Sequence, residues 1–192
     1  MAGHVFEVIL QAIEFGQIIN NIFHVWDGDE SESPSDVADV FENNFLVDIA
    51  AQQVNNLTWE SINVIPLDVA NPADPLIRLV SIVGSDVNDP TPTGVHIWVK
   101  LKSDDNGFKS GGKMIGAVSE NNLTDGFVTV AYLAAIQTVF DDLITDLTAA
   151  GLALCIYRPT LSTPGFPQIS ISSAALVRGV ATNNRRQRPF QG

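Results

Sequence analysis

Histidine and cysteine are the residues of this sequence best suited to acid–base, metal or nucleophilic chemistry. The three histidines, His4, His24 and His96, lie far apart, and no pair has the spacing of a zinc motif such as His-Glu-x-x-His. The single cysteine, Cys155, lies in the apolar run 152–157, where a small buried residue is expected more than a nucleophile. No Gly-x-Ser-x-Gly elbow is present. We therefore expect no catalytic residue, no metal ligand and no cofactor, and we predict that the protein is not an enzyme.

The acidic segment 27–32 comes closest to a metal-binding loop. It reads Asp-Gly-Asp-Glu-Ser-Glu, which is similar to the opening of a calcium-binding EF-hand loop. Its sixth position is Glu32 instead of glycine, and its twelfth is Ala38 instead of glutamate. The segment is therefore not an EF-hand, and a weaker calcium contact between subunits stays open as an alternative.

The basic residues are arranged very unevenly along the chain. The formal net charge is -12, yet no Lys or Arg precedes Arg78, and Arg185, Arg186 and Arg188 follow one another near the end with no acid beside them. Phosphate binding needs clustered cations, so an acidic body argues against a general nucleic-acid surface. We predict that the three terminal arginines bind nucleic acid, with an acidic neighbouring subunit or a plain solubilising role as alternatives.

The elements that would position these residues begin with a β-hairpin over residues 4–26. Phe6, Val8, Leu10 and Ala12 fall on one face of the first strand, and 15–17 supplies the turn. An alternation with period two over such a length indicates strands.

Two helices are predicted from capping signals and apolar spacing. Ser33 is the expected N-cap of a helix over 34–56, with Pro34 at its first position and Asp36 three residues after the cap. A second helix is expected over 127–150 and should stop at Gly151.

The remaining segments complete an α+β pattern. Alternation predicts strands over 58–69, 76–83, 95–102, 152–158 and 168–181, and residues 103–126, rich in glycine, are expected to be irregular. The order ββαβββαββ predicts an antiparallel sheet built from hairpins with two helices packed on it, with a jelly-roll β-sandwich as the alternative. Residues 1–181 are expected to form a single domain, and 182–192 a basic, flexible C-terminal tail.

The composition favours an oligomer. Hydrophobic residues make up 45% of the chain and charged residues only 17%, against a usual charged share of about 25%. So few charges leave apolar surface that a neighbouring chain could cover. No run approaches the ~20 apolar residues that a membrane span needs, so we expect no membrane partner.

Two segments resemble coat proteins of small, uncultivated single-stranded RNA or DNA viruses. They are Asn-Asn-Ile-Phe-His-Val-Trp at 20–26 and Ala-Thr-Asn-Asn-Arg-Arg-Gln-Arg at 181–188. The resemblance implies a self-assembling capsid subunit of an icosahedral shell, located in the virion, with the basic tail facing the genome. The sequence departs from the pattern of many such coats because its N-terminal half is acidic and carries no basic arm.

Two other classes of protein fit the same sequence. A small-molecule enzyme or binding domain, in the cytoplasm, would have a pocket between helix and sheet lined by Trp59, His96, Trp98 and Tyr132. A phage tail or other filament subunit would give open assemblies instead of closed shells.

Overall fold

The computed structural model describes residues 4–67, 74–86, 92–102, 112–155 and 173–177. Its strands are β1 His4–Glu14, β2 Gln17–Asp27, β3 Leu57–Pro66, β4 Leu76–Val83, β5 Pro92–Lys102, β6 Lys113–Ser119, β7 Leu123–Thr124, β8 Phe127–Val128, β9 Leu152–Cys155 and β10 Ser173–Val177. Its helices are α1 Pro34–Val40, a π-helical turn Phe41–Leu46, α2 Val47–Ala50, a 3₁₀ turn Glu120–Asn122 and α3 Val130–Ala149.

All strand pairs within the described residues are antiparallel. The order is β4-β3-β1-β2-β9 in a five-stranded sheet, β10-β5-β6 in a second sheet, and β7-β8 in a short ribbon. The predicted α+β class, mainly antiparallel sheet with two helical segments, is confirmed. The predicted single sheet is wrong, because β5 pairs with β6 and β10 and not with the first four strands.

The N-terminal hairpin has the predicted position. The register runs from His4 opposite Asp27 to Glu14 opposite Gln17. Phe15 and Gly16 form the two-residue turn with φ angles of 49° and 74°, and positive φ at both positions is what a type I′ hairpin turn requires. The predicted inner face of β1 is buried.

The first helical segment begins as predicted and ends earlier. Ser33 and Asp36 form a reciprocal capping box with Pro34 in the first turn. The segment ends at Ala50 instead of residue 56, and its middle widens into the π-helical turn. Phe41 and Phe45 of this turn lie 5.4 and 5.6 Å, between ring centroids, from Phe23 of β2.

Helix α3 confirms the second predicted helix with shorter bounds. Thr129 caps its N-terminus by accepting a hydrogen bond from the backbone N–H of Tyr132. Gly151 follows its C-terminus with a φ of 75°, as expected for a glycine after a helix. The buried seam of α3 packs toward the inner face of the five-stranded sheet and includes Ile136, Phe140, Leu143 and Leu147.

The region predicted to be irregular, 103–126, contains strands. Residues 103–111 lie outside the described residues, but 113–119 form β6, and β7 and β8 bracket a turn at 125–126. The predicted order ββαβββαββ is therefore corrected by three strands between β5 and α3. Glycine at 112 and 116 indicated a loop, whereas tertiary contacts made by β6, described below, hold it extended.

The C-terminal predictions fall mostly outside the described residues. The predicted strands 152–158 and 168–181 are seen as β9 and β10 where they are described. Residues 182–192, with Arg185, Arg186 and Arg188, lie outside the described part, so the tail and its arginines stay predictions. Among the described helices, none combines the length and hydropathy needed to cross a membrane.

Candidate assembly surface and inter-sheet cleft

Glu14, at the end of β1, joins the two large sheets. Its side chain is only 3% exposed. One oxygen lies 2.9 Å from Nε2 of His96 in β5, and the other accepts hydrogen bonds from the backbone N–H of Ala117 in β6, at 2.7 Å, and from Asn56, at 3.3 Å. Burial raises the pKa of Glu14, but these hydrogen bonds and the charge of His96 outweigh it and bring the pKa below its usual value. Glu14 is thus a buried, fully bonded carboxylate.

Gly116 makes room for this carboxylate. Its φ of 108° disfavours any residue with a Cβ. A Cβ at this position would lie 2.6 Å from Cδ1 of Leu57 and 3.1 Å from Oε1 of Glu14. The glycine therefore allows β6 to approach the end of β1.

Side chains from the first sheet and the helical segment also bond to the outer edge of β6. The Asn21 side chain donates to the carbonyl of Met114 at 2.9 Å and accepts from its N–H at 2.8 Å. Gln53 donates to the carbonyl of Ile115 and accepts from the indole N–H of Trp59. These contacts explain why 113–119 is a strand despite its glycine.

A cleft of about 830 Å³ opens beside the Glu14–His96 pair. Its wall includes the apolar side chains of Phe15, Ile18 and Trp98, and its size lies in the usual range of ligand pockets, about 300–1,000 Å³. The buried pair places a polar group next to this apolar wall. Thr93, a hydroxyl residue of the cleft wall, donates a hydrogen bond to the carbonyl of Val118 and accepts one from the N–H of Val95.

The structure brings together only half of the predicted pocket residues. His96 and Trp98 line the cleft. Trp59 and Tyr132 do not line this cleft: Trp59 is fully buried against Gln53, and the hydroxyl of Tyr132 donates to the carbonyl of Gln52 at 2.8 Å. Both rings belong to the hydrophobic core, where their polar atoms find partners, as buried aromatic residues require.

The other candidate residues named from the sequence are either buried or lie beside a carboxylate. Cys155 is buried as predicted, and burial raises the pKa of its thiol to about 12, which suppresses thiolate chemistry. His24 lies 3.2 Å from Glu7, and His4 lies 3.6 Å from Glu30. The described residues contain no cluster that could hold a metal ion.

The side chain of Asp27 holds the acidic segment 27–32 in a turn through hydrogen bonds to its backbone. Its buried carboxylate accepts hydrogen bonds from the backbone N–H groups of Asp29, Glu30 and Glu32. The first carboxylate of the calcium-like pattern therefore serves as the anchor of a turn. The suggested calcium contact between subunits stays a prediction.

Several apolar side chains on the outer face of the five-stranded sheet are exposed to solvent. The helices pack on the opposite, inner face, whereas Leu79 is 82% exposed, Ile77 70% and Ile18 63%. We call this surface the open face and define it by its apolar side chains, Ile9, Ile13, Ile18, Ile22, Ile65, Ile77, Leu79 and Val83. Clusters of exposed apolar side chains are typical of protein interaction sites.

Searches against protein-family models, curated proteins and solved structures found no match to this chain.

Sequence reasoning missed Glu14 and Asn21, although a signal for both was present. Glu14 continues the buried stripe of β1, and Asn21 stands between Ile19 and Phe23 in the buried stripe of β2. A polar residue at such a position needs a buried hydrogen-bond partner. The identity of the partner strand, β6, had no comparable signal because glycine dominates its neighbourhood.

Proposed function

We propose that the protein is a self-assembling structural subunit, and specifically the coat subunit of a small virus. The observation that carries the proposal is the open face, where the side chains of two adjacent outward positions on β4, Ile77 and Leu79, are almost fully exposed. Exposed isoleucine and leucine on one face of a sheet gain free energy when another protein surface covers them. The low charged share of the chain, 17%, points the same way.

The size of the open face suits a protein–protein contact. Four long strands, spaced about 4.8 Å apart and rising about 3.3 Å per residue, span roughly 20 by 30 Å, or about 600 Å². A standard specific interface takes about 800 Å² from each partner. The open face would supply most of such an interface without any change in the fold.

The proposal of a viral coat protein rests in addition on the resemblance of the two short segments, at 20–26 and 181–188, to small coat proteins. In this proposal a shell forms in the virion, and the terminal arginines contact the genome. A phage tail or filament subunit is the alternative within the same class, and electron microscopy of the assemblies distinguishes closed shells from open filaments.

Self-assembly is tested by sizing the purified protein with multi-angle light scattering. We expect a uniform species many times larger than 20.7 kDa. The double variant Ile77→Gln with Leu79→Gln should shift the population toward monomer because it removes apolar area from the open face. Val130→Gln is the matched control, since Val130 on α3 is also 82% exposed. A wild-type monomer, or equal effects of both variants, would contradict the proposal.

The nucleic-acid role of the tail is tested by the ratio of absorbance at 260 and 280 nm. Deleting 182–192 removes Arg185, Arg186 and Arg188 and should lower the co-purified nucleic acid, because each phosphate contact depends on a cation. Circular dichroism checks that the shortened protein is folded. An unchanged absorbance ratio would remove the tail from this role.

The cleft supports a second candidate, a small-molecule binding domain. Its apolar wall with one buried polar pair, Glu14 and His96, has the composition usual for ligand pockets. This candidate requires a monomer or dimer that is thermally stabilised by a small apolar ligand. The stabilisation should disappear in Trp98→Ala, which removes the exposed ring from the wall.

A further inference from the structure

The open face carries very little charge for a protein of this composition. Strands β1 to β4 contain the acids Glu7, Glu14, Asp27 and Glu60. The side chains of Glu14 and Asp27 are buried on the inner face of the sheet. The outer side thus keeps Glu7 and Glu60, and the carboxylate of Glu7 lies 3.2 Å from Nε2 of His24.

This distribution matters because the chain as a whole has a net charge of -12. Two copies repel one another when their acidic surfaces meet, and like charges at a contact cost free energy. Within the described strands β1 to β4, the open face presents a second copy with only two carboxylates, those of Glu7 and Glu60. A strongly basic partner would gain little there, so charge favours a second copy of the same chain.

The strand register arranges the side chains of the open face in rows that cross the sheet. Ile77, Asn63, Ile9 and Ile22 are successive neighbours on β4, β3, β1 and β2. The next row contains Leu79, Ser61, Gln11 and Asn20, and the row after it contains Val83, Thr58, Ile13 and Ile18. Each of these rows combines apolar side chains with uncharged amide or hydroxyl groups and carries no charge, so it can pack against an identical set, as the inner faces of two stacked sheets do.

We infer that the open face packs against the open face of a second copy, giving a two-fold symmetric sheet-on-sheet dimer. A contact that uses the same patch on both subunits is the geometry of most symmetric dimers. The inference rests on the proposed function and names the surface and the partner through which assembly begins.

Site-directed cross-linking tests this geometry. Single variants Ile22→Cys and Ile77→Cys are treated, separately and as a mixture, with a bismaleimide of about 10 Å reach, which matches the spacing of stacked sheets. Val130→Cys is the exposed control on α3, and the wild-type chain controls for Cys155, whose buried thiol has a pKa raised to about 12. We expect covalent dimers, at least tenfold above both controls, from Ile22→Cys alone or as dimers that link residue 22 to residue 77 in the mixture, identified by mass spectrometry of the cross-linked peptides.

The other outcomes separate this inference from the proposed function. Dimers linked only between two copies of residue 77, with no cross-link to residue 22 in either single variant or in the mixture, would mean contact through the β4 edge and would overturn face packing while leaving self-assembly intact. Cross-linking no greater than in the controls, in protein that light scattering shows to be assembled, would also overturn it. A monomeric wild-type protein would overturn the inference and the proposed function together.

Discussion

Gly116 has a backbone conformation that favours glycine, and it packs closely against the buried carboxylate of Glu14. Gly116→Ala should lower the free energy of unfolding by about 3 kcal/mol, because an L-residue is strained at this φ and the new Cβ would meet Leu57 and Glu14. Urea denaturation measures the loss.

The control for this prediction is another glycine with positive φ. Gly126 has a φ of 75°, and a Cβ added there would meet no other atom within 4 Å, so Gly126→Ala should cost only about 1 kcal/mol. Equal losses at the two positions would show that the close packing around Gly116 contributes nothing to stability.

Among the elements, β6 depends most on contacts made by other parts of the chain. Its first residue, Lys113, is buried and its ammonium lies 5.0 Å from the ring centroid of Phe23 on β2. Burial lowers the pKa of Lys113 to about 8 from an ordinary value of 10.5. The folded state therefore binds fewer protons than the unfolded state between these two pH values.

The consequence is a defined pH dependence of stability. The contribution of Lys113 to the free energy of unfolding should increase as the pH rises from about 8 to 10.5, by up to about 1.4 kcal/mol per pH unit. Lys113→Met should lack this increase and should be at least as stable as the wild type at neutral pH. The comparison is made by urea denaturation across the pH range.

The quantity to compare is the difference in the free energy of unfolding between the wild type and Lys113→Met at each pH. Cys155 and Tyr132 also have raised pKa values because of burial, and they lower stability as the pH rises, but they do so equally in both proteins. Parallel stability curves for the wild type and Lys113→Met would contradict the assignment of a buried, destabilised ammonium to β6.

At the scale of the whole molecule, the net charge would oppose the proposed assembly, and the exposed apolar area would favour it. The net charge of -12 makes copies repel at low ionic strength, and salt shortens the range of that repulsion, to about 10 Å at 0.1 M. Assembly through the open face should therefore increase as NaCl is raised from about 0.05 to about 0.5 M, which light scattering measures.

The sign of this salt dependence also distinguishes two routes of assembly. Binding of terminal arginines to nucleic acid releases counterions, so assembly held together by a genome weakens as salt rises. A decrease in assembled protein with added salt would contradict assembly driven by the open face. Repeating the titration on the protein lacking 182–192 removes the arginine contribution.

Local sequence was sufficient for the elements whose side chains are ordered by near neighbours. The hairpin followed from alternation and from the turn at 15–17, and the start of the first helical segment followed from Ser33 and its immediate surroundings. These features depend on backbone preferences and on hydrogen bonds within a few residues, and such local interactions are recognisable as patterns in the sequence.

By itself the sequence determined the α+β class, the hairpin, the start of the first helix and the surplus of apolar over charged residues. Only the tertiary structure decided that 113–119 is a strand, because Asn21, Gln53 and Glu14 reach its backbone from distant positions. The tertiary structure likewise decided which apolar residues remain exposed to solvent. Ile62 and Ile77 have similar local surroundings, yet Ile62 is buried under the helices and Ile77 lies on the open face, because burial depends on which face of the sheet the helices cover.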